Sequence, residues 1–216
     1  MKKLVDLILI GAPGSGKGSQ SLKIKEKFGY RHLSTGDMLR AEVAKGSELG
    51  KHVAEIINSG RLVSDELVLS LLKLNCNSED SFLFDGFPRN LLQAKMLQDE
   101  IFKKLNRDSL ALYFKVNNED LISRIVNRRT CKNCGTIFNL ITKPSSNGDY
   151  CDNCDSTDKL SHRADDNEEV VRGRLNIFDS ESKPLLDYYA NLGKLKIVDA
   201  SMSEEKLFGE ISRLIN

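Results

Sequence analysis

Short apolar runs recur along the chain at 4–10, 81–84, 109–116 and 195–199, with a briefer one over Tyr30–Leu33. Each has the length of a strand. Between them apolar residues return every three or four positions, as at Leu67, Leu71, Leu72 and Leu74, or at Leu207, Phe208, Ile211, Leu214 and Ile215. That period marks one face of an amphipathic helix. Strands alternating with helices predict an α/β fold, a parallel sheet of five strands covered by helices on both faces, with the leucine stripes as core. Two stretches break the alternation: 36–64 is charged and helical without a strand, and 129–162 is rich in turns and cysteines. Both read as insertions. Ligands of such sheets lie beyond the carboxyl ends of the strands, where insertions can close over them.

Composition narrows the class further. A chain of 216 residues, 40% of them hydrophobic, can bury a sizeable core and suits one domain with inserted subdomains. Its 32 Lys and Arg balance 31 Asp and Glu, so net charge offers no pull toward nucleic acid or membrane. Any anion must be held by a local cluster. Met1-Lys2-Lys3 leads into an apolar stretch broken by Asp6, and no run approaches the roughly 18 apolar residues of a membrane span. The expectation is a cytoplasmic protein, with a monomer the weaker inference for want of a long apolar patch.

The first apolar run ends in Gly11-Ala12-Pro13-Gly14-Ser15-Gly16-Lys17-Gly18-Ser19, followed by a helical segment. Glycines let backbone N–H groups wrap an anion without Cβ clashes, the helix N-terminus adds its dipole, and Lys17 supplies a charge for the β- and γ-phosphates. The pattern departs from G-x-x-x-x-G-K-[ST] in one respect: Gly18 stands at the hydroxyl position and Ser19 follows it.

Four of the five cysteines form Cys131-x2-Cys134-x16-Cys151-x2-Cys154. Two C-x-x-C turns brought together complete a tetrahedron of thiolates, a closed site that folds a small subdomain and leaves no place for a catalytic water. Structural Zn2+ is the expected occupant. Two disulfides are the alternative, disfavoured by a cytoplasmic setting. A nucleic-acid-binding ribbon is a second alternative, but Gly135–Tyr150 holds one lysine and no arginine. Cys76 reads as an ordinary buried thiol.

Three further stretches join the phosphate loop: Ser34-Thr35-Gly36-Asp37-Met38-Leu39-Arg40, Phe84-Asp85-Gly86-Phe87-Pro88-Arg89, and Arg163-Ala164-Asp165-Asp166 with Arg172 and Arg174. In order and spacing they closely resemble adenylate kinases of the long-lid, zinc-bearing bacterial type, over essentially the whole chain. The resemblance implies a P-loop nucleoside monophosphate kinase fold and the reaction MgATP + AMP ⇌ 2 ADP, with Mg2+ accompanying ATP. It implies a core of 1–35, 65–127 and 165–216, an AMP-covering insertion at 36–64, and a cysteine-bearing lid at 128–164. It assigns Gly14, Ser15, Gly16, Lys17, Gly18, Ser19, Arg124, Arg128 and Phe138 to ATP. To AMP it assigns Thr35, Gly36, Arg40, Leu62, Val63, Gly86, Arg89, Gln93, Arg163 and Arg174. Asp85 matches the carboxylate that orients magnesium through water. Ser19 replaces the family's usual threonine and keeps its hydroxyl.

The chemistry agrees with that assignment. AMP brings an ionised phosphate oxygen as nucleophile, so the task is to bring two polyanions together and stabilise the transferring group, which guanidinium forks do well. Arg124 and Arg128, spaced i and i+4, are expected on one helix face. Asp165 and Asp166 are expected either to latch the lid or to cap a helix, and His162 to be exposed. Asn90 resembles the pattern of uridylate/cytidylate kinases, whereas Thr35 and the Gln93 amide favour AMP. A P-loop switch is a further rival, although the guanine-reading Asn-Lys-x-Asp is absent.

Overall fold

A computed structural model describes residues 5–58, 63–77, 79–117 and 119–215. Five parallel strands form the central sheet: β1 (Val5–Gly11), β2 (Arg31–Ser34), β3 (Phe82–Asp85), β4 (Asp108–Lys115) and, after the hairpin strands described below, β7 (Leu195–Asp199), in the order β2-β3-β1-β4-β7. β1 sits at the centre, pairing Leu7 with Leu83 on one side and with Leu110 on the other. Alternation divides its side chains between two cores. Ile8 and Ile10 join Phe82, Phe84 and Ala111 on one face, while Leu7 and Leu9 join Leu83, Leu112 and Phe114 on the other. Both faces are covered, which is why these strands read as continuous apolar runs.

On the second face lie α1 (Lys17–Phe28) and the C-terminal α8 (Glu204–Ile215), through Ile24, Leu207 and Ile211. The first face packs against α4 (Asp65–Asn75), α5 (Leu91–Leu97) and the later part of α7 (Glu168–Asn191), which contributes Leu185 and Tyr189. α5 widens into a π-helical turn over Gln98–Phe102, where Lys103 N–H reaches back to Gln98 O at 2.9 Å. The wider turn buries the neighbours Ile101 and Phe102 together, something the helical period does not announce.

Between β2 and α4 the chain forms α2 (Thr35–Ala44) and α3 (Glu48–Asn58), the helical stretch expected there. Between α6 (Glu119–Val126) and α7 it forms an antiparallel hairpin, β5 (Arg128–Thr130) with β6 (Ile137–Asn139), followed by turns. Helix α6 therefore ends before Arg128, and Arg124 and Arg128 do not share a helix face as their spacing suggested. Pairing of Arg128 with Asn139 draws that residue out of the helix and into the hairpin.

At the foot of the sheet, opposite the phosphate loop, Asp6 is fully buried. Arg107 grips it with Nε at 2.6 Å and a second guanidinium nitrogen at 2.7 Å, and Phe82 N–H donates to the same carboxylate at 2.8 Å. Burial raises the Asp6 pKa, opposed by the bond from Arg107. The guanidinium also lies 4.9 Å from the Phe82 ring centre, so the pair ties β1, β3 and the entry to β4 together.

Candidate active site

The loop Ala12–Gly16 joins β1 to α1 at the carboxyl edge of the sheet. Gly14 and Gly16 take φ of 79° and 90°, a left-handed backbone that side chains resist, and this curls the loop so that α1 begins with its N–H groups facing inward. Lys17 Nζ donates to Gly11 O at 2.6 Å, Ala12 O at 2.9 Å and Ser15 Oγ at 3.2 Å, so the ammonium is held over its own loop. Burial lowers its pKa to about 8, and the positive charges of Arg89, Arg174 and Arg128 push the same way against the pull of Asp85.

A continuous cleft of about 1660 Å3 runs from this loop in two directions. That exceeds the roughly 300–1,000 Å3 typical of a single small-molecule site, and accommodates two nucleotides end to end. Every described residue that sequence reasoning assigned to ATP or AMP lines it. Leu62 lies outside the described residues. Toward α2 the wall is built from Thr35, Gly36, Arg40, Val63, Gly86, Arg89 and Gln93; toward the hairpin it carries Arg124, Arg128, Phe138 and Arg163, with Arg174 between. Phe138 is buried and packs mainly with Cys131 and Cys151.

The arginines are crowded. Burial lowers the pKa of Arg89 to about 10, and Arg174 beside it adds to the effect. Arg163 is likewise lowered to about 10 by burial, then by Arg40 and Arg128. Carboxylates hold the set in place: Asp166, fully buried, takes Arg128 Nε at 2.8 Å, and Asp165 takes Arg174 at 2.8 Å. Neither aspartate caps α7, whose first turn is capped by Asn167 accepting from Val170 N–H at 3.0 Å. Asp37, not singled out from the sequence, contacts Arg40 closely and lies 4.0 Å from Arg163, bridging the two walls. Such concentrated positive charge is suited to a polyanion.

Asp85 ends β3 near the cleft centre. Burial raises its pKa, but the 3.3 Å bond to His32 Nε2 and the charge of Lys17 outweigh that, and its carboxyl stays below the usual range. His32, on β2, was also unread from the sequence; its partner is 53 residues away, so no local pattern marks it. Arg89 is fixed by Nε donating to Gly86 O at 2.7 Å. Asn90 caps α5, its Oδ1 accepting Gln93 N–H at 2.9 Å, which accounts for this residue without any substrate contact. His162 is exposed at the cleft rim.

The four cysteine sulfurs of the hairpin region lie within 4.8 Å of one another. Cys131 and Cys154 are 3.6 Å apart, as are Cys134 and Cys151. Disulfides, at about 2.05 Å, do not have this spacing, whereas a tetrahedron with metal–sulfur arms of about 2.3 Å has edges of about 3.8 Å. Asn153 N–H donates to Cys151 Sγ at 3.3 Å and Asn133 Nδ2 to Cys154 Sγ at 3.5 Å, the outer bonds that stabilise thiolate ligands. The donor set fits structural zinc. Cys76 lies just beyond α4, half-buried, its thiol pushed up to about 12 by burial.

The family model for adenylate kinase matches residues 9–194. Among curated relatives, the adenylate kinase of Elusimicrobium minutum is 44% identical over 97% of this chain and 98% of its own. Those of Thermosipho melanesiensis, 42% identical over 98% of this chain and 99% of theirs, and Archaeoglobus fulgidus, 41% identical over 98% of each, are similar throughout. Likeness that runs from end to end, through both walls of the cleft, means that the chain belongs to the adenylate kinase family.

Proposed function

We propose that the cleft carries out MgATP + AMP ⇌ 2 ADP with the division of labour its two walls suggest. The phosphate loop, Gly14–Ser19, cradles the donor's β- and γ-phosphates, and Lys17 leaves its loop carbonyls to meet them. Thr35, Gly36, Arg40, Gly86, Arg89, Gln93 and the chain at Leu62–Val63 receive AMP. Arg124, Arg128, Arg163 and Arg174 gather around the group in flight, with Arg89 holding the acceptor phosphate. Asp85 would orient the water shell of the magnesium that accompanies ATP, an ion that would supply charge neutralisation to the phosphates. No general base is needed, because the acceptor oxygen is already ionised; catalysis is alignment and charge stabilisation.

The arginine cluster opposite the phosphate loop is the observation that carries this reading. Segments 36–64 and 128–164 serve as covers over AMP and ATP on a core of 1–35, 65–127 and 165–216, and their closure keeps water from accepting the phosphoryl group. Zinc held by Cys131, Cys134, Cys151 and Cys154 gives the second cover a fold that its small apolar cluster cannot. The protein acts on ATP, AMP and ADP as a cytoplasmic monomer with no nucleic-acid or membrane partner. No helix among the described residues is long and apolar enough to cross a membrane, and in support of a monomer the exposed Leu74, Leu92 and Ile197 sit on separate elements, with Leu140 and Ile141 the one adjacent exposed pair among the described large apolar residues. The Asn90 cap removes the reason to favour UMP or CMP as acceptor.

Arg89→Ala and Lys17→Ala are each expected to lower turnover with AMP by about 10²–10³-fold, with melting temperature nearly unchanged. Turnover unaffected by either substitution would refute the assignment.

A further inference from the structure

The side-chain amide of Gln93 is almost wholly buried, at 2% exposure, and both of its ends are engaged by partners of a single kind. Its Oε1 accepts the backbone N–H of Arg89 at 2.6 Å, and its Nε2 donates to Asp65 Oδ1 at 2.7 Å. The first bond follows from helix-end chemistry: with Asn90 as N-cap, Gln93 is the third residue of α5, where a glutamine reaches back to free N–H groups. The second comes from another element, since Asp65 is the first residue of α4. A backbone N–H can only donate and an ionised carboxylate can only accept, so the amide has one allowed orientation. Rotating it by half a turn would place oxygen against carboxylate and NH2 against N–H.

We infer that Asp65 is a positioning residue for base selection: together with the Arg89 N–H it fixes the Gln93 amide, and so the hydrogen-bonding edge that the acceptor site presents. This rests on the reading that Gln93 meets the base of the acceptor nucleotide. With one N–H and one oxygen lone pair committed, the amide retains one donor and one acceptor, in fixed order, where it lines the cleft. A 6-aminopurine offers the complement, an acceptor at N1 beside a donor at N6. A 6-oxopurine offers the reverse, a donor at N1 beside an acceptor at O6. With the acceptor phosphate held by arginines, the base cannot turn over to compensate, and a mismatched edge leaves buried groups unpaired.

The test compares kcat/KM for AMP with that for IMP, at saturating MgATP, in the unaltered protein and in Asp65→Ala, Asp65→Asn and Gln93→Ala. Asp65→Ala is expected to lower the AMP/IMP ratio by about tenfold or more without changing KM for ATP. Asp65→Asn keeps an accepting oxygen and is expected to restore most of the ratio. A role confined to the electrostatics of the α4 N-terminus would instead destabilise both variants alike and leave the ratio unmoved. If Gln93→Ala collapses the ratio while Asp65→Ala preserves it, the inference is wrong and the placement of Gln93 stands. If Gln93→Ala preserves it, the placement of Gln93 fails and the inference with it. In the unaltered protein, NMR of the Gln93 NH2 group provides a check free of folding defects: AMP should shift one proton strongly and leave the carboxylate-bound one nearly still, whereas large shifts of both would overturn the fixed amide.

Discussion

Lys17 shows most plainly how the site's chemistry is set by neighbouring groups. Its pKa of about 8 means that the free protein loses this charge as pH rises past 8, whereas bound phosphate favours the charged form and restores it. ATP affinity should therefore fall by about tenfold between pH 7 and pH 9, with proton uptake on binding above pH 8, measurable by calorimetry in buffers of different ionisation enthalpy. An affinity independent of pH over that range would mean either that the Lys17 pKa is not depressed by burial or that Lys17 does not meet the phosphates. At the other end of β1, Arg107→Leu should cost about 3–5 kcal/mol in denaturant unfolding, because it leaves the Asp6 carboxylate buried without its partner. The two residues differ in how far the sequence reveals them. Lys17 belongs to a motif contained in nine consecutive positions, whose parts lie side by side in the sequence. Asp6 with Arg107, Asp166 with Arg128 and Asp65 with Gln93 meet only because the fold brings distant segments together, so no local pattern announces these pairings.

At the scale of elements, strand and helix positions follow from hydrophobic period because each strand is buried on both faces and each covering helix on one. The end of α6 does not follow from it. Arg124 and Arg128 keep helical spacing, yet strand pairing with Asn139 and the buried carboxylate of Asp166 place Arg128 in the hairpin. The π-helical turn after α5 was invisible for a similar reason, since burial of the adjacent Ile101 and Phe102 has no helical period. The hairpin region has few apolar contacts beyond its cysteines, Phe138 and Leu160, so its fold should depend on the metal. Cys131→Ser is expected to reduce bound zinc and lower the melting temperature of this region while the sheet domain stays folded. Unchanged zinc content and melting would contradict a structural tetrathiolate site.

Across the whole molecule, ion pairs reach from the hairpin region to both walls of the cleft: Arg163 approaches Asp37 on α2, and Lys143 pairs at 2.8 Å with Glu204, which Lys23 of α1 also holds at 3.2 Å. These span both ends of the cleft, as expected of a site in which two phosphate-bearing substrates are enclosed together. The order of four motifs along the chain made the family legible, while the way Asp37, Asp65 and Asp166 fasten the reactive groups required the folded chain. Whether one cleft aligns ATP and AMP and excludes water is decided by incubating zinc-replete protein with MgATP and each nucleoside monophosphate in turn, with nucleotides resolved by chromatography. Loss of ATP and AMP in equal amounts, two ADP formed for each pair and no free phosphate is the predicted result. Release of phosphate with AMP untouched, or transfer to UMP or CMP in preference to AMP, would contradict the account.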